Sequence, residues 1–240
     1  MPRLARKAPG GIVYHVLNRA NGRLRLFKKE GDFLAFERVL LEAHRRVPIR
    51  ILGWCLMSNH WHLVLWPRAD GELTRFMRWL TLTHAQRWKH AHAAVGHGHL
   101  YQGRFKSFAI EEDEHLLTVL RYVERNPLRA GIVKRAEKWR WGSCCVRLDR
   151  RHDLHGLLGE GPVELPRSWL HLVNQAQDEA DEADEQSVRQ SIARGRPFGG
   201  QRWTERMVVR LDLTQTMRPR GRQKGWRKNA KAVKTESARY

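Results

Sequence analysis

Short apolar runs alternate with helical patterns along roughly the first 145 residues, and this order restricts the possible folds more than any other feature. Runs rich in β-branched and aromatic residues predict strands, whereas apolar residues at helical spacing predict helices. Such pieces suit an α+β domain in which helices cover one face of an antiparallel sheet. The predicted order is a strand at 12–17, a helix capped by Asp32, strands at 49–56 and 60–66, a helix at 73–89, a strand at 100–110 and a helix at 111–125.

The charge of the chain indicates a polyanionic partner. Its 240 residues include 45 lysines and arginines against 25 acidic residues, a formal net charge of +20. A protein this basic repels itself unless a polyanion neutralises it, so nucleic acid is the first partner to expect. Arginine pairs with phosphates, and the interleaved tryptophans can stack on unpaired bases. A generic basic surface, or attachment to a ribosome or a membrane surface, is the alternative interpretation.

Features that would direct the chain to a membrane or out of the cell are not expected. No stretch approaches the roughly 20 apolar residues that span a bilayer, and no apolar core follows the basic N-terminus. Cys55, Cys144 and Cys145 form neither a disulfide framework nor a CxxC metal pattern. We therefore predict a cytoplasmic protein in a reducing setting, without a membrane partner.

The composition changes near residue 150. We predict a compact domain at 1–150, a helical linker at 151–186 and a basic segment at 187–240 that contacts DNA and is partly disordered when free. The acidic run at 178–185 is most simply the solvated part of a helix that begins near Pro166.

His60 and His62 are a candidate metal-binding pair. They are separated by one residue on a predicted strand, so both side chains point to one face, roughly 6.7 Å apart along the strand. Both imidazoles can therefore bind one divalent metal ion. A His-X-His pair alone is weak support, since ordinary surface and core histidines are common.

Tyr122 and Asn126 are candidates for the remaining chemistry. They lie four residues apart on a predicted helix and therefore share a face, at the flank of its apolar stripe. A phenol attacks phosphorus poorly near neutral pH, but a metal held by two imidazoles and a carboxamide oxygen can polarise the phosphate. The structural alternative is a half-buried tyrosine and an asparagine that caps the helix.

Three longer motifs, together with Tyr14-His15-Val16 and the segment at 139–143, resemble the single-tyrosine HUH transposases. The group they are most similar to is the REP-associated tyrosine transposases (RAYTs) of bacteria, and the resemblance covers roughly residues 8–145. The motifs are Met57-Ser58-Asn59-His60-Trp61-His62-Leu63-Val64, Gly98-His99-Leu100-Tyr101-Gln102-Gly103-Arg104-Phe105-Lys106-Ser107 and Tyr122-Val123-Glu124-Arg125-Asn126-Pro127-Leu128-Arg129-Ala130-Gly131.

This resemblance implies a ferredoxin-like sheet, a Mg²⁺ or Mn²⁺ ion and a monomer or homodimer that cleaves single-stranded DNA beside palindromic hairpins. By position, Tyr122 matches the nucleophile, which would form a 5′-phosphotyrosine. His60 and His62 match the histidine pair and Asn126 the third ligand. Some members of the superfamily have glutamine where Asn126 stands, and the side chain of asparagine is shorter.

Other interpretations of the site are weaker. Tyr14, Tyr101 and Tyr240 have no carboxamide one turn away, and Val64 stands where a metallo-hydrolase motif would need an aspartate. A DNA-binding regulator that lost strand transfer is the main alternative function. A replication initiator or relaxase would need a helicase-like region, which the sequence lacks. The histidines that could form a second metal site, although a solvated loop is the simpler interpretation, are His90, His92, His97 and His99.

Two groups of basic residues are candidate DNA contacts. Arg104 and Lys106 alternate on a predicted strand and would face the phosphate backbone, although a solvent-facing pair is equally compatible with the pattern. The arginines of the C-terminal segment resemble hooks that enter a narrow minor groove, and a tail that only releases counterions is the alternative. The candidate residues of this segment are Arg218, Arg220, Arg222 and Lys224.

Overall fold

The computed structural model describes residues 7–150 and 152–218. Four strands and nine α-helices lie within these ranges, together with short 3-10 turns. The strands are β1 (Val13–Arg19), β2 (Arg50–Met57), β3 (His60–Trp66) and β4 (Lys106–Ile110). The helices are α1 (Glu30–Arg46), α2 (Glu72–Ala91), α3 (Glu114–Glu124), α4 (Asn126–Arg129), α5 (Ser143–Leu148), α6 (Trp169–Asn174), α7 (Glu179–Arg194), α8 (Gln201–Arg210) and α9 (Thr214–Met217).

The strands form one antiparallel sheet in the order β2-β3-β1-β4. The hairpin of β2 and β3 turns at Ser58 and Asn59, as the sequence predicts, and β3 pairs with β1 at the centre of the sheet. This register places His60 opposite Arg19 and His62 opposite Leu17. With α1 joining β1 to β2 and α2 joining β3 to β4, the arrangement is ferredoxin-like, and the predicted α+β class is confirmed.

Helices cover both faces of the sheet, whereas the sequence analysis placed them on one face. Helices α1 and α2 pack against the face that carries Trp61 and Leu63, while α3 packs its apolar stripe against the face of Val64. The signal was present in β2, where every residue from Ile51 to Met57 is buried. A strand with one solvated face alternates between apolar and polar residues, so a continuous apolar run indicates burial on both sides.

Two element boundaries differ from the predictions. The last strand is limited to Lys106–Ile110, because Tyr101 and Gln102 bond to the end of β1 as an isolated bridge and residues 102–105 form a loop. Helix α1 begins at Glu30, and the Asp32 carboxylate accepts hydrogen bonds from the backbone amides of Lys28 and Lys29. Asp32 thus stabilises the helix start from inside the first turn.

Residues 152–218 pack onto the sheet domain. The predicted helix from Pro166 is two helices, α6 and α7, and α7 crosses the predicted boundary between residues 186 and 187. Phe198 is buried and extends the sheet edge: its amide donates to Ala109 and its carbonyl accepts from Glu111. In the ranges that the structure covers, no helix is long and apolar enough to cross a membrane.

Candidate active site

His60 and His62 lie on the face of β3 that meets α3. Their ring centroids are 5.0 Å apart and the rings are nearly perpendicular, at 78°. His62 is buried, with 2% of its surface exposed, whereas His60 is half-buried at the end of the strand. The two side chains share one face of the strand, as predicted. The His60 ring is the more exposed of the two, and the His62 ring lies deeper in the protein.

Hydrogen bonds fix the protonation of both rings. The Nε2 of His62 lies 3.2 Å from Asn126 Nδ2, which can only donate. The proton of His62 therefore sits on Nδ1, which donates to His15 Nε2 at 2.8 Å. His60 donates from Nδ1 to Asn59 Oδ1 at 2.6 Å. His60 therefore directs its Nε2 lone pair away from Asn59, as metal-binding histidines do, whereas the Nε2 lone pair of His62 accepts from Asn126.

Burial keeps these imidazoles neutral. Desolvation lowers the pKa of His60 to about 4, reinforced by the positive charges of Arg19 and Arg129. The same effect lowers the pKa of His15 to about 3 and places that of His62 well below its ordinary value. Neutral imidazole is the form that binds a metal, so no proton has to be displaced near pH 7.

Tyr122 and Asn126 contact His62 from the helices that pack on this face of the sheet. Asp113 caps α3 by accepting from the His115 amide, and α3 ends at Glu124. Asn126 then begins α4, so it lies one turn beyond Tyr122 although the long helix has ended. The Tyr122 ring meets His62 edge to face, with 5.8 Å between centroids. The predicted shared face is thus observed, and Asn126 bonds to His62 instead of capping α3.

These groups line one cavity of about 690 Å³. Arg104 and Lys106 lie on its wall with exposed side chains, although Arg104 is in the loop before β4 instead of on the strand. The walls therefore offer positive charge around the His-X-His pair, the tyrosine and the carboxamide. An extended phosphodiester chain matches that combination of charge and shape.

Three neighbours of the site were missed by the sequence analysis. His15 orients His62, as described above. The Arg129 guanidinium carbon lies 4.7 Å from the centre of the Tyr122 ring, and its Nη1 lies 2.5 Å from Glu185 Oε1 on α7. Arg129 stands three residues after Asn126, a spacing that could have revealed it. Glu185 gives no such local signal.

The remaining predicted residues lie apart from the cavity or beyond the described ranges. Arg218 is exposed, and its carbonyl accepts a hydrogen bond from Arg194 Nη1 at 3.1 Å. Arg220, Arg222 and Lys224 lie outside the residues that the structure describes.

The other tyrosines of the described ranges are held by structural contacts. The Tyr14 hydroxyl donates to the Pro9 carbonyl at 3.1 Å. Tyr101 is buried, and its hydroxyl accepts from Trp61 Nε1 at 3.1 Å and lies 2.7 Å from His84 Nδ1. Burial raises the pKa of both phenols. Neither is suited to attack, which leaves Tyr122 as the candidate nucleophile within these ranges.

The histidines near the end of α2 do not converge. His90, His97 and His99 are exposed, while His92 stacks on Trp88 and pairs with Asp32 at 3.3 Å.

A separate group consists of Glu111, Asp113 and His115, whose ligand atoms lie within 4.8 Å of one another. Asp113 caps α3 and bonds to His115 Nδ1 at 2.8 Å, and Glu111 accepts from the Gly200 amide at 2.7 Å. Structural roles account for these contacts.

The residues at the His-X-His pair fit a divalent metal ion. Two neutral imidazoles and a carboxamide provide nitrogen and oxygen ligands, which suit Mn²⁺ once the Asn126 amide group turns away from His62 Nε2. The Asn126 oxygen accepts from Arg129 Nη2 at 3.2 Å, so its use as a ligand requires the amide to turn away from that arginine.

Comparisons with known proteins indicate a transposase. Residues 10–126 match the family model described as transposase IS200-like. A REP-associated tyrosine transposase of Escherichia coli (strain K12) is 25% identical over 130 residues, which are 54% of this chain and 74% of the relative. A solved structure of a REP-associated tyrosine transposase bound to a REP hairpin has the same fold, with a TM-score of 0.52 and 20% identity over 74% of this chain and 93% of that one.

The fold, the site and the matched family define the chain as a tyrosine transposase. Its residues 10–126 match the IS200-like transposase model, and the chain is similar to the REP-associated tyrosine transposases. The match ends at Asn126, before Arg129 and before α7.

Proposed function

We propose that the chain is a metal-dependent, site-specific endonuclease and strand transferase that acts on single-stranded DNA beside REP-type hairpins. The observation that carries the proposal is the meeting of His60, His62, Tyr122 and Asn126 at one cavity with basic walls. The hairpin as partner follows from the related protein whose structure contains one. Such a substrate suits either DNA transposition or the processing of chromosomal repeats, in the cytoplasm.

His60 and His62 would hold a Mg²⁺ or Mn²⁺ ion through Nε2, with the Asn126 oxygen as the third ligand. A bound ion would polarise the scissile phosphate and stabilise the charge that develops on it. His15 and Asn59 keep the two rings in the required tautomers. Arg104 and Lys106 would bind flanking phosphates from the cavity wall.

Tyr122 would attack the phosphorus from the other side of the cavity. Its oxygen forms the new bond to phosphorus, and the bond from phosphorus to the 3′ oxygen breaks. The phenolic proton passes to water, and the departing 3′ oxygen takes up a proton to become a free hydroxyl. The 5′-phosphotyrosine conserves the energy of the phosphodiester bond for rejoining, which hydrolysis would lose.

Tyr122→Phe tests this function, because the change removes only the attacking oxygen. End-labelled repeat hairpins incubated with Mn²⁺ should give a covalent adduct with the unaltered protein and none with the variant, while both bind the hairpin equally. Cleavage by the variant at the full rate would point to another nucleophile. If the unaltered protein bound hairpins but formed no adduct, the alternative of a DNA-binding regulator that lost strand transfer would be favoured.

A further inference from the structure

Arg129 contacts the candidate nucleophile, a candidate ligand and a distant helix at the same time. Its guanidinium carbon lies 4.7 Å from the centre of the Tyr122 ring, within the range of a cation–π contact. Its Nη2 donates to Asn126 Oδ1 at 3.2 Å, and its Nη1 donates to Glu185 Oε1 at 2.5 Å. The planar guanidinium makes these contacts with separate parts of one rigid group, which a lysine cannot do.

Two side chains contact the Tyr122 ring. The ring is half-buried at the cavity, and His62 meets it edge to face with an interplanar angle of 79°. That contact limits the ring from the side of the sheet. Arg129 contacts the ring and also donates a hydrogen bond to its phenol oxygen. Together the two side chains restrict the torsions that aim the phenol oxygen.

Glu185 on α7 holds Arg129 in this position. Its side chain is 10% exposed, and its second oxygen accepts from Gln177 Nε2 at 2.9 Å. Burial favours the protonated carboxyl, but Gln177 and Arg129 outweigh it and keep the pKa of Glu185 below its ordinary value. The carboxylate is therefore charged, and hydrogen bonds to both of its oxygens hold it in place. It in turn fixes the position of the Arg129 guanidinium.

A second ion pair fixes the position of α7 on α3. Both oxygens of Asp181 accept from Arg121, and Arg121 Nε also donates to the Leu172 carbonyl at 2.8 Å. Asp181 and Glu185 are one helical turn apart on α7, so one face of this helix carries both ion pairs to the domain, to Arg121 and to Arg129. Asp181 and Glu185 of the acidic run thus form ion pairs with the sheet domain, whereas the sequence predicts a solvated face.

We propose that Arg129 is a positioning residue for Tyr122 and that Glu185 keeps it in place, so that α7 is part of the active site. The inference rests on the proposed function, in which Tyr122 attacks DNA. It also extends the functional unit beyond the segment that matches the transposase family, which ends at Asn126. A misplaced nucleophile lowers the rate of attack without weakening the binding of substrate.

The test compares single-turnover rates of adduct formation at saturating hairpin DNA with Mn²⁺, alongside hairpin affinity. Arg129→Gln should slow adduct formation about tenfold to a hundredfold while the affinity changes by less than about threefold. Arg129→Lys should recover only part of the rate, since it keeps the charge but lacks the planar fork. Glu185→Gln should slow the reaction in the same direction and by less.

Arg189→Gln is the matched control. Arg189 also pairs with Glu185, but its side chain is 51% exposed and its ion pair lies on α7 itself, away from Tyr122. The rate of this variant should equal that of the unaltered protein. Equal reductions for Arg129→Gln and Arg189→Gln would overturn the proposal, because they would reflect charge alone. An unchanged saturated rate with weakened hairpin binding would overturn it too, since Arg129 would then only bind phosphate.

The failure of this inference differs from the failure of the proposed function. If the unaltered protein formed no adduct at Tyr122, both would fall. If it formed the adduct and every Arg129 and Glu185 variant kept the full rate, only the positioning role would fall. Should Arg129→Gln prove unfolded by circular dichroism, the rate of Glu185→Gln decides, because that variant leaves Arg129 intact.

Discussion

His62 is buried and contacts other groups of the candidate site through both ring nitrogens and through its ring. His15 and Asn126 bond to its two ring nitrogens, and Tyr122 packs against its ring. The sequence predicted His62, Tyr122 and Asn126 from local spacing. It could not predict His15, because the pairing of β1 with β3 joins residues 47 positions apart.

Removing either histidine should abolish most of the affinity for Mn²⁺. Outer-shell partners of metal ligands typically contribute 10–100-fold, so we expect decreases above about 100-fold for His60→Ala and His62→Ala. Asn126→Ala should cost about tenfold, because its oxygen must first leave Arg129 and a neutral amide binds this ion less strongly than imidazole. Isothermal titration calorimetry measures these affinities.

His90→Ala is the control for this series, since His90 is exposed at the end of α2. Its Mn²⁺ affinity should match that of the unaltered protein. Undiminished binding in both His60→Ala and His62→Ala would mean that the metal binds elsewhere.

At the level of elements, the close approach of β2 and α3 brings the two halves of the site together. Gly53 makes this approach possible: a Cβ there would lie 2.9 Å from Leu120 Cδ2 and 3.2 Å from Ser143 Oγ. The register of β2 against β3 also shifts between Ile51 and Gly53. Sequence patterns predicted both elements, but the distance between them depends on side-chain volumes that no local pattern encodes.

Gly53→Ala should therefore destabilise the fold. Pushing α3 from the sheet should lower the free energy of unfolding by about 1–3 kcal/mol, the usual cost of overpacking. Gly31→Ala in α1 is the control, because a Cβ there meets nothing within 4 Å and alanine favours helix. Chemical denaturation compares the two. Equal free energies of unfolding for the two variants would show that α3 can move away from the sheet without loss of stability.

At the scale of the whole molecule, the predicted sheet is confirmed, and within the described residues helix α7 spans the predicted boundary after residue 186. A cut at residue 187 would divide α7 and remove Phe198 and Met207, both of which are buried. Composition suggested a tail there because charged residues dominate. Trp203, Met207 and Leu211 dock it at helical spacing, within a stretch in which charged residues dominate.

A cut after Arg218 tests the predicted DNA grip of the tail without disturbing this packing. Residues 219–240 contain eight lysines and arginines and one acidic residue. Removing them should weaken hairpin binding and flatten the dependence of log affinity on log salt by about 0.7–0.9 for each phosphate that the tail neutralises. Adduct formation at saturating DNA should continue. An unchanged affinity and salt slope would show that the tail does not touch the substrate.

Buried histidines also make the stability of the whole molecule depend on pH. Burial lowers the pKa of His84 to about 3, so the unfolded chain binds its proton first as the pH falls below about 6.5. Stability is therefore present at higher pH and decreases on acidification. The decrease from His84 alone should reach about 2 kcal/mol between pH 7 and pH 5.

His84→Asn isolates this contribution, because asparagine keeps a polar atom near Tyr101 but does not titrate. Other groups also titrate in this range, and Glu37, whose buried carboxyl has a pKa of about 7, acts in the opposite sense. The comparison of the two proteins cancels them. On acidification to pH 5, the stability of the variant should fall by about 2 kcal/mol less than that of the unaltered protein, measured by urea unfolding. Equal decreases would mean that His84 titrates normally.

The central claim is that Tyr122 becomes covalently joined to DNA. Digestion of the adduct formed with a repeat hairpin and Mn²⁺, followed by peptide mass spectrometry, locates the joined residue directly. We predict a nucleotide linked through its 5′ phosphate to the peptide that contains Tyr122, and a released strand that ends in a 3′ hydroxyl. A nucleotide on another residue, or cleaved DNA with no peptide attached, would contradict the account.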